Sequence, residues 1–383
     1  MTTEAVRATE VTRTDTRDAA LRLGIVGLSA SAGWAARAHL PAVQRMDELK
    51  ISALMASSMA TSQLAGQMYD VPLVYDSVRD LASSDEVDLV AVTLRVDKHA
   101  SAVEAAIGAG KPVFCEWPLG KSLDEARRLE GLARSANITT FVGLQALASP
   151  LIRYLSDLIA EGYLGRVVSS SLIAAGGDWG PTFEPRGEYK LDADSGGTMI
   201  TIPVAHVLSA ACRVLGDFSS LNAWSAVRYP TVTNSADGTS RPKTAADQLA
   251  VTGTVGQGAV LNAHFRGGAS RASNFHWEIN GSDGDLVLTS DVPHFWIGPA
   301  SLAGARKEET GLTPLPVPAR YESRLPSLSD LAGQPAYNVA FAYGDIIDDL
   351  KLGTNRAPTF SDALALHELI ARIEESARTG QRT

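Results

Sequence analysis

Between residues 21 and 145, short apolar runs alternate with stretches whose apolar residues recur at helical spacing. The runs fall at 21–27, 50–55, 73–75, 87–94, 113–119 and 139–145, and the helical patterns at 34–43, 62–69, 78–82, 99–109 and from Ser122 onward. Short apolar runs without alternation suit strands buried on both faces, and helices interposed between them make a parallel sheet. Ser122 followed by Glu125 three residues on is a helix-capping signal. The expected first unit is therefore an α/β, doubly wound Rossmann-type domain over 21–148.

Beyond Pro150 the pattern changes. A helix over 151–161 is stopped by Gly162 and Gly165, and 167–175 alternates as a strand would. A Gly/Asp/Trp loop occupies 176–181, and a long helical run from 197 to 214 contains His206. Strands predicted at 221–228, 247–255, 258–265, 274–280 and 285–289 have no helices between them, which predicts one largely antiparallel open sheet. The six prolines over 299–335 predict a long surface excursion, followed by helices over 338–350 and 361–377. The second unit, 149–383, is expected to be α+β and to carry substrate and oligomer contacts.

Candidate chemistry follows from where strands end. In an open α/β sheet, ligands bind beyond the carboxyl ends of the strands, so Glu116 and Trp117, which stop the fifth run, are candidate site residues. Trp117 as a plain interface aromatic is the alternative. The first run ends at Gly27 and leads through Ser29, Ala30 and Gly33 to Trp34 and a helix, the order in which a βαβ unit receives a pyrophosphate. The loop lacks a clean GxGxxG, with Ser29 where a second glycine is usual. The second strand ends in Ala56, Ser57 and Ser58 without the acid that holds a ribose 2′-hydroxyl, which favours NADP(H) over NAD(H). Leu94, Arg95, His99 and Gln145 complete the strand-end set. Arg95 is a candidate for a cofactor phosphate or substrate carboxylate against the plainer reading of a solvated loop arginine.

Composition limits the partners. With 43 acidic and 34 basic residues, a net charge of -9, the chain offers no basic surface for nucleic acid or anionic lipid. Its two cysteines, Cys115 and Cys212, form no CxxC or Cys/His grouping, so neither a disulfide framework nor a metal site is expected and a cytoplasmic setting is. Residues 1–20 carry no apolar segment and read as a disordered leader.

Several motifs together resemble the glucose–fructose oxidoreductase / inositol dehydrogenase (Gfo/Idh/MocA) family. They are 23–27 (Leu-Gly-Ile-Val-Gly), the strand end at 115–119, Ser195-Gly196-Gly197 leading to His206, and the run from Trp277 to Gly284. The stretched loop with Trp34, the pair Glu116-Trp117 and the run from Glu188 to Gly196 look more like its galactose-regulon repressor branch, which binds a dinucleotide without catalysis. The resemblance implies that dehydrogenases would carry lysine at Trp117 and aspartate at Ile202, leaving only His206 of the usual set. An indole cannot exchange a proton near neutral pH, so Trp117 is expected to be a wall against cofactor or substrate. The resemblance also implies a sugar-binding polar residue after 142–143. Gln145 is followed there by Ala146, Leu147 and Ala148, so a more apolar substrate is expected.

His206 and Tyr189 are then the candidate catalytic residues, each with a structural alternative. Asp178 and Trp179 join Trp117, Tyr189 and His206 as candidate substrate contacts. Two functions fit: an NADP(H)-dependent reductase of a relatively apolar carbonyl, imine or conjugated compound, and a non-catalytic NADP-binding regulator or redox sensor. A homodimer or dimer of dimers is expected in either case.

Overall fold

The computed structural model describes residues 19–31 and 33–383. The expected leader lies outside them for residues 1–18. Six strands form the first sheet: β1 (Leu21–Val26), β2 (Leu49–Met55), β3 (Leu73–Tyr75), β4 (Leu89–Val92), β5 (Val113–Glu116) and β6 (Thr140–Gly143). They are all parallel and ordered β3-β2-β1-β4-β5-β6. Strands β4, β5 and β6 are buried along their whole length, which is why they read as apolar runs without alternation. The order reverses between β1 and β4, and that crevice is where a doubly wound sheet takes its ligand.

The second part begins with β7 (Val167–Ala175) and β8 (Thr182–Phe183), and continues after helix Ala205–Leu215 with β9 (Phe218–Ala226), β10 (Thr231–Asn234), β11 (Ser240–Pro242), β12 (Gln248–Val255), β13 (Ala259–Arg266), β14 (Phe275–Gly281), β15 (Gly284–Ser290), β16 (Ser301–Arg306) and β17 (Thr313–Pro314). Eight of these form one sheet, β17-β16-β15-β14-β7-β13-β12-β9, antiparallel except where β7 meets β13. One face is core, with Leu172, Leu261, Phe265, Trp277 and Ile279 buried, and the other carries Ser171, Ile173, Val260, Asn262 and His264. The two-part α/β plus α+β architecture is the expected one.

Three features differ from expectation. The proline-rich stretch supplies β16 and β17 at the sheet edge, where proline costs no ladder bond. β8, β10 and β11 make a separate small sheet over Phe183, Leu191 and Val232. Helix Pro335–Leu352, expected in the unit 149–383, packs on the first sheet instead: Val339, Ala340 and Tyr343 share a core with Leu23, Ile25, Phe114 and Phe141. The apolar underside of that sheet needs a cover, and this helix supplies it. The last helix, Phe360–Thr379, bridges helix Leu123–Ser135 and β9.

Candidate active site

At the end of β1 the chain turns through Gly27 at φ 110°, where a Cβ would lie 2.8 Å from the Thr93 hydroxyl, so only glycine lets the first loop pass this close to β4. The loop is held from outside by Tyr69, whose hydroxyl donates to the Ser29 carbonyl (3.1 Å), and by Arg186, which donates to the Ser31 carbonyl (2.8 Å). The backbone N–H groups of Ser29 and Ala30 have no protein partner among the described residues. Trp34 opens a helix whose first turn, Ala35–His39, is π-type, and its buried indole N–H is unpartnered. Free amides, a glycine-only turn and an orphaned donor are what a pyrophosphate cradle offers, so the residues fit a dinucleotide. At the end of β2, Ser58 caps helix Met59–Tyr69 and shares hydroxyl contacts with Thr61. Ser57 stands exposed beside it, with no acid in the helix's first turn.

Glu116 and Gln145 meet below the crevice. The Gln145 amide donates to both carboxylate oxygens of Glu116 (2.9 and 2.8 Å), and His39 Nε2 lies 3.0 Å from the same carboxylate. His39 Nδ1 contacts the Tyr343 hydroxyl at 2.8 Å, so one buried polar chain joins the end of β5, the turn after β6, the first helix and helix Pro335–Leu352. Burial pushes the Tyr343 phenol well above its usual range, and Glu116 adds to the shift. Gln145 therefore faces a carboxylate and not a substrate. His39 and Tyr343 escaped sequence reasoning because 304 positions separate them. His99 is buried, with its ring nitrogens 2.8 Å from the Pro118 carbonyl and 2.9 Å from that of Leu94. Burial lowers its pKa, against the two carbonyls, which raise it, and the ring acts as a spacer between strand ends.

Trp117 is not an open wall. Its indole N–H donates to the Thr201 carbonyl (2.6 Å) and its ring packs on His367 at 4.6 Å, leaving it 5% exposed. His206 is likewise enclosed. It stacks on Trp296 (4.7 Å, 19°), its Nδ1 has no partner, and burial pushes its pKa down to about 3, with His294 adding to the shift. Burial thus favours the neutral imidazole at His206.

The remaining candidates converge. Arg95, Asp178, Trp179 and Tyr189 line one cavity of about 420 Å³ beyond the end of β4, together with Arg186 and Lys190. The Arg95 guanidinium lies 4.9 Å from the centre of the Tyr189 ring and is held by Asp97, whose hydrogen bonds raise its pKa. Lys190 pairs with Asp178 and sits 5.1 Å from the centre of the Trp179 ring. The lining mixes Trp179, Phe183 and Leu191 with these charges. A larger cavity, about 600 Å³, lies between helices Ala205–Leu215 and Phe360–Thr379 around Cys212 and Arg372. It holds none of the strand-end candidates, and we place the site at Arg95 because that cavity borders the crevice. No cluster of metal-binding side chains occurs among the described residues, and none of their helices is long and apolar enough to cross a membrane.

Fold and crevice are those of a two-part protein whose first part has a dinucleotide-binding, Rossmann-type sheet. Residues 21–144 match the family model "Oxidoreductase family, NAD-binding Rossmann fold", and residues 150–290 match that of the Gal80p C-terminal domain. The two matches lie in separate parts of the chain, so it is similar to the Gfo/Idh/MocA family in its first part and to the Gal80-like branch in its second. It is 26% identical over 95% of its length to the dehydrogenase aclE of Aspergillus oryzae, covering 98% of that protein. It is 28% identical over 72% of its length to the galactose/lactose metabolism regulatory protein GAL80 of Saccharomyces cerevisiae, covering 68% of it. In fold it is similar to a super-repressor mutant of Gal80p from S. cerevisiae (TM-score 0.85, 24% identity, 95% of this chain and 97% of that one). It is also similar in fold to levoglucosan dehydrogenase in complex with NADH and levoglucosan (TM-score 0.82, 19% identity, 95% and 98%).

Proposed function

We propose that this chain is an NADP(H)-dependent oxidoreductase that reduces a small carbonyl, imine or conjugated compound, or runs the reverse oxidation. The observation that carries the reading is the cavity at the end of β4, where Arg95 faces Tyr189 of the 178–191 segment, which also clamps the first loop through Arg186. Gly27, Ser29, Ala30 and Trp34 hold the pyrophosphate, Leu94 and His99 shape the edge beside β4, and Glu116 with Gln145 fixes the floor. When bound, the dinucleotide supplies or accepts a hydride. Trp179 and Phe183 pack the apolar body of the substrate, and Arg95 orients its polar end. The exposed Ser57 and Ser58 hydroxyls, with no nearby acid, favour a 2′-phosphate. The full-length similarity to a fungal dehydrogenase supports an enzyme.

The test is loss of absorbance at the reduced-nicotinamide band when pure protein and NADPH meet a panel of ketones, enones and imines. A panel that gives no turnover alongside tight NADPH binding sinks the enzyme. The second reading, an NADP-binding regulator, then stands. It draws on the enclosed Trp117 and His206 and on the similarity to GAL80 regulators. In either reading we place the protein in the cytoplasm as a homodimer, without nucleic-acid or membrane contacts. The outer face of the large sheet, with Trp224 59% and Val260 53% exposed, is the dimer surface. Trp224→Glu is expected to yield monomers in sedimentation.

A further inference from the structure

We infer that Lys190, seated between the Asp178 carboxylate and the Trp179 ring, is the proton donor of the β4 cavity, in place of the strand-end lysine that is absent at Trp117. This rests on the oxidoreductase reading above. Among the groups that line the cavity, Arg95 and Arg186 donate hydrogen bonds but hold their protons at any accessible pH. Asp178 and Glu184 are acceptors when ionised, which leaves the Lys190 ammonium and the Tyr189 phenol as groups that can release a proton. Burial disfavours the charged form of the imidazoles nearest this region. His294 is tied to the Gly176 carbonyl (2.8 Å) and lowered by burial, and His206 is pushed down to about 3 by the same cause.

The surroundings of Lys190 are built with unusual care for a loop. Trp179 has a left-handed backbone (φ 60°), which a bulky side chain adopts only where the neighbours over-determine it. Here Lys243, fully buried and paired with Asp247, donates to the Trp179 carbonyl (2.8 Å), and the indole N–H donates to the Gly197 carbonyl (3.3 Å). A Cβ on Gly267 would come within 2.3 Å of that same Trp179 carbonyl oxygen, so glycine there lets the bend after β13 close on the loop. The result is a fixed ring face and carboxylate on which the Lys190 side chain lies, 24% exposed, while Asp178 stays 58% exposed to water. The charged and titratable groups around it are Asp178, Glu184, Arg95, Arg186, Tyr189 and His294.

The step balances as a carbonyl reduction. The carbonyl carbon accepts a hydride from a dihydronicotinamide, the C=O π pair moves to oxygen, and that oxygen takes a proton from Lys190 Nζ. Substrate becomes alcohol, the dihydronicotinamide is oxidised to the nicotinamide cation, and the neutral amine regains its proton from water beside Asp178.

The experiment compares wild type, Lys190→Ala and Lys190→Arg as full chains, reading kcat against pH and NADPH affinity by fluorescence. Loss of the donor is expected to lower kcat by about 10²–10⁴-fold, the usual weight of proton transfer. NADPH affinity should stay within about twofold, because Lys190 lies outside the pyrophosphate loop. Lys190→Arg should remain slow, and added methylamine should restore part of the Lys190→Ala rate. An active wild type whose Lys190→Ala variant keeps its rate and pH profile, or is matched by Lys190→Arg, overturns the assignment and leaves the oxidoreductase reading intact. A wild type that binds NADPH but turns over nothing overturns both.

Discussion

Removing the ammonium of Lys243 tests how the Trp179 loop is held. Lys243 and Asp247 are both fully buried and 2.8 Å apart. The lysine also donates to the Trp179 carbonyl at 2.8 Å, and the carboxylate accepts backbone N–H groups from Arg228 (2.9 and 3.0 Å) and Tyr229 (2.9 Å). Breaking such a pair from one side leaves a buried charge, so Lys243→Met is expected to cost about 3–5 kcal/mol. The double variant Lys243→Met/Asp247→Leu should cost less than the sum of the singles, since no lone charge remains. It should not be neutral, because two amides lose their acceptor at about 1–3 kcal/mol for each that stays buried. Burial alone would raise the Asp247 pKa, but the Lys243 hydrogen bond, the Tyr229 and Arg228 amides and the lysine charge outweigh it and hold it below the ordinary value. A depressed carboxyl contributes stability above the unfolded pKa and loses it as pH falls through the folded one. Wild type should therefore keep this contribution until strongly acid pH, and Lys243→Met should lose stability at a higher pH. Urea unfolding followed by tryptophan fluorescence from pH 3 to 8 reads both effects. A single-variant loss below about 1 kcal/mol, the range of exposed pairs, would refute the reasoning.

Three further outcomes are expected. Ser57→Asp should weaken NADPH binding by about tenfold or more, roughly 1.4 kcal/mol, while NADH gains or holds, and equal titration curves for the variant and wild type would count against the NADP assignment. Arg186→Ala removes the bond to the Ser31 carbonyl and, at about 0.5–1.5 kcal/mol for one hydrogen bond, should weaken dinucleotide binding by about two- to tenfold in fluorescence titration. Trp117→Phe keeps the packing on His367 but leaves the Thr201 carbonyl without its donor, so a loss of about 1–3 kcal/mol in urea unfolding is expected, and no loss would mean that water replaces the indole.

What could be read from the chain, and what could not, follows from the range of the interactions. Strands β4 to β6 are buried along their whole length and mostly apolar because both faces are covered, and Ser122 caps its helix through the Glu125 amide, so those elements carry their own signature. β8, β10 and β11 are two to four residues long, too short to display an alternation. The β4 cavity was half legible. Arg95 stood out from its place after a strand, whereas Lys190 belongs to a 3₁₀ segment, Pro185–Leu191, with no periodicity to aim it. Trp117 shows where this kind of inference stops. Its position at a strand end fixes that it lies at the crevice, but whether an indole N–H is free for a ligand depends on a carbonyl 84 residues away. With that donor spent on Thr201 and the imidazole of His206 closed against Trp296, Tyr189 and Lys190 are the groups lining the β4 cavity that remain as candidates to give up a proton. The chemistry of this chain should therefore be sought at Tyr189 and Lys190 and not at the strand end itself.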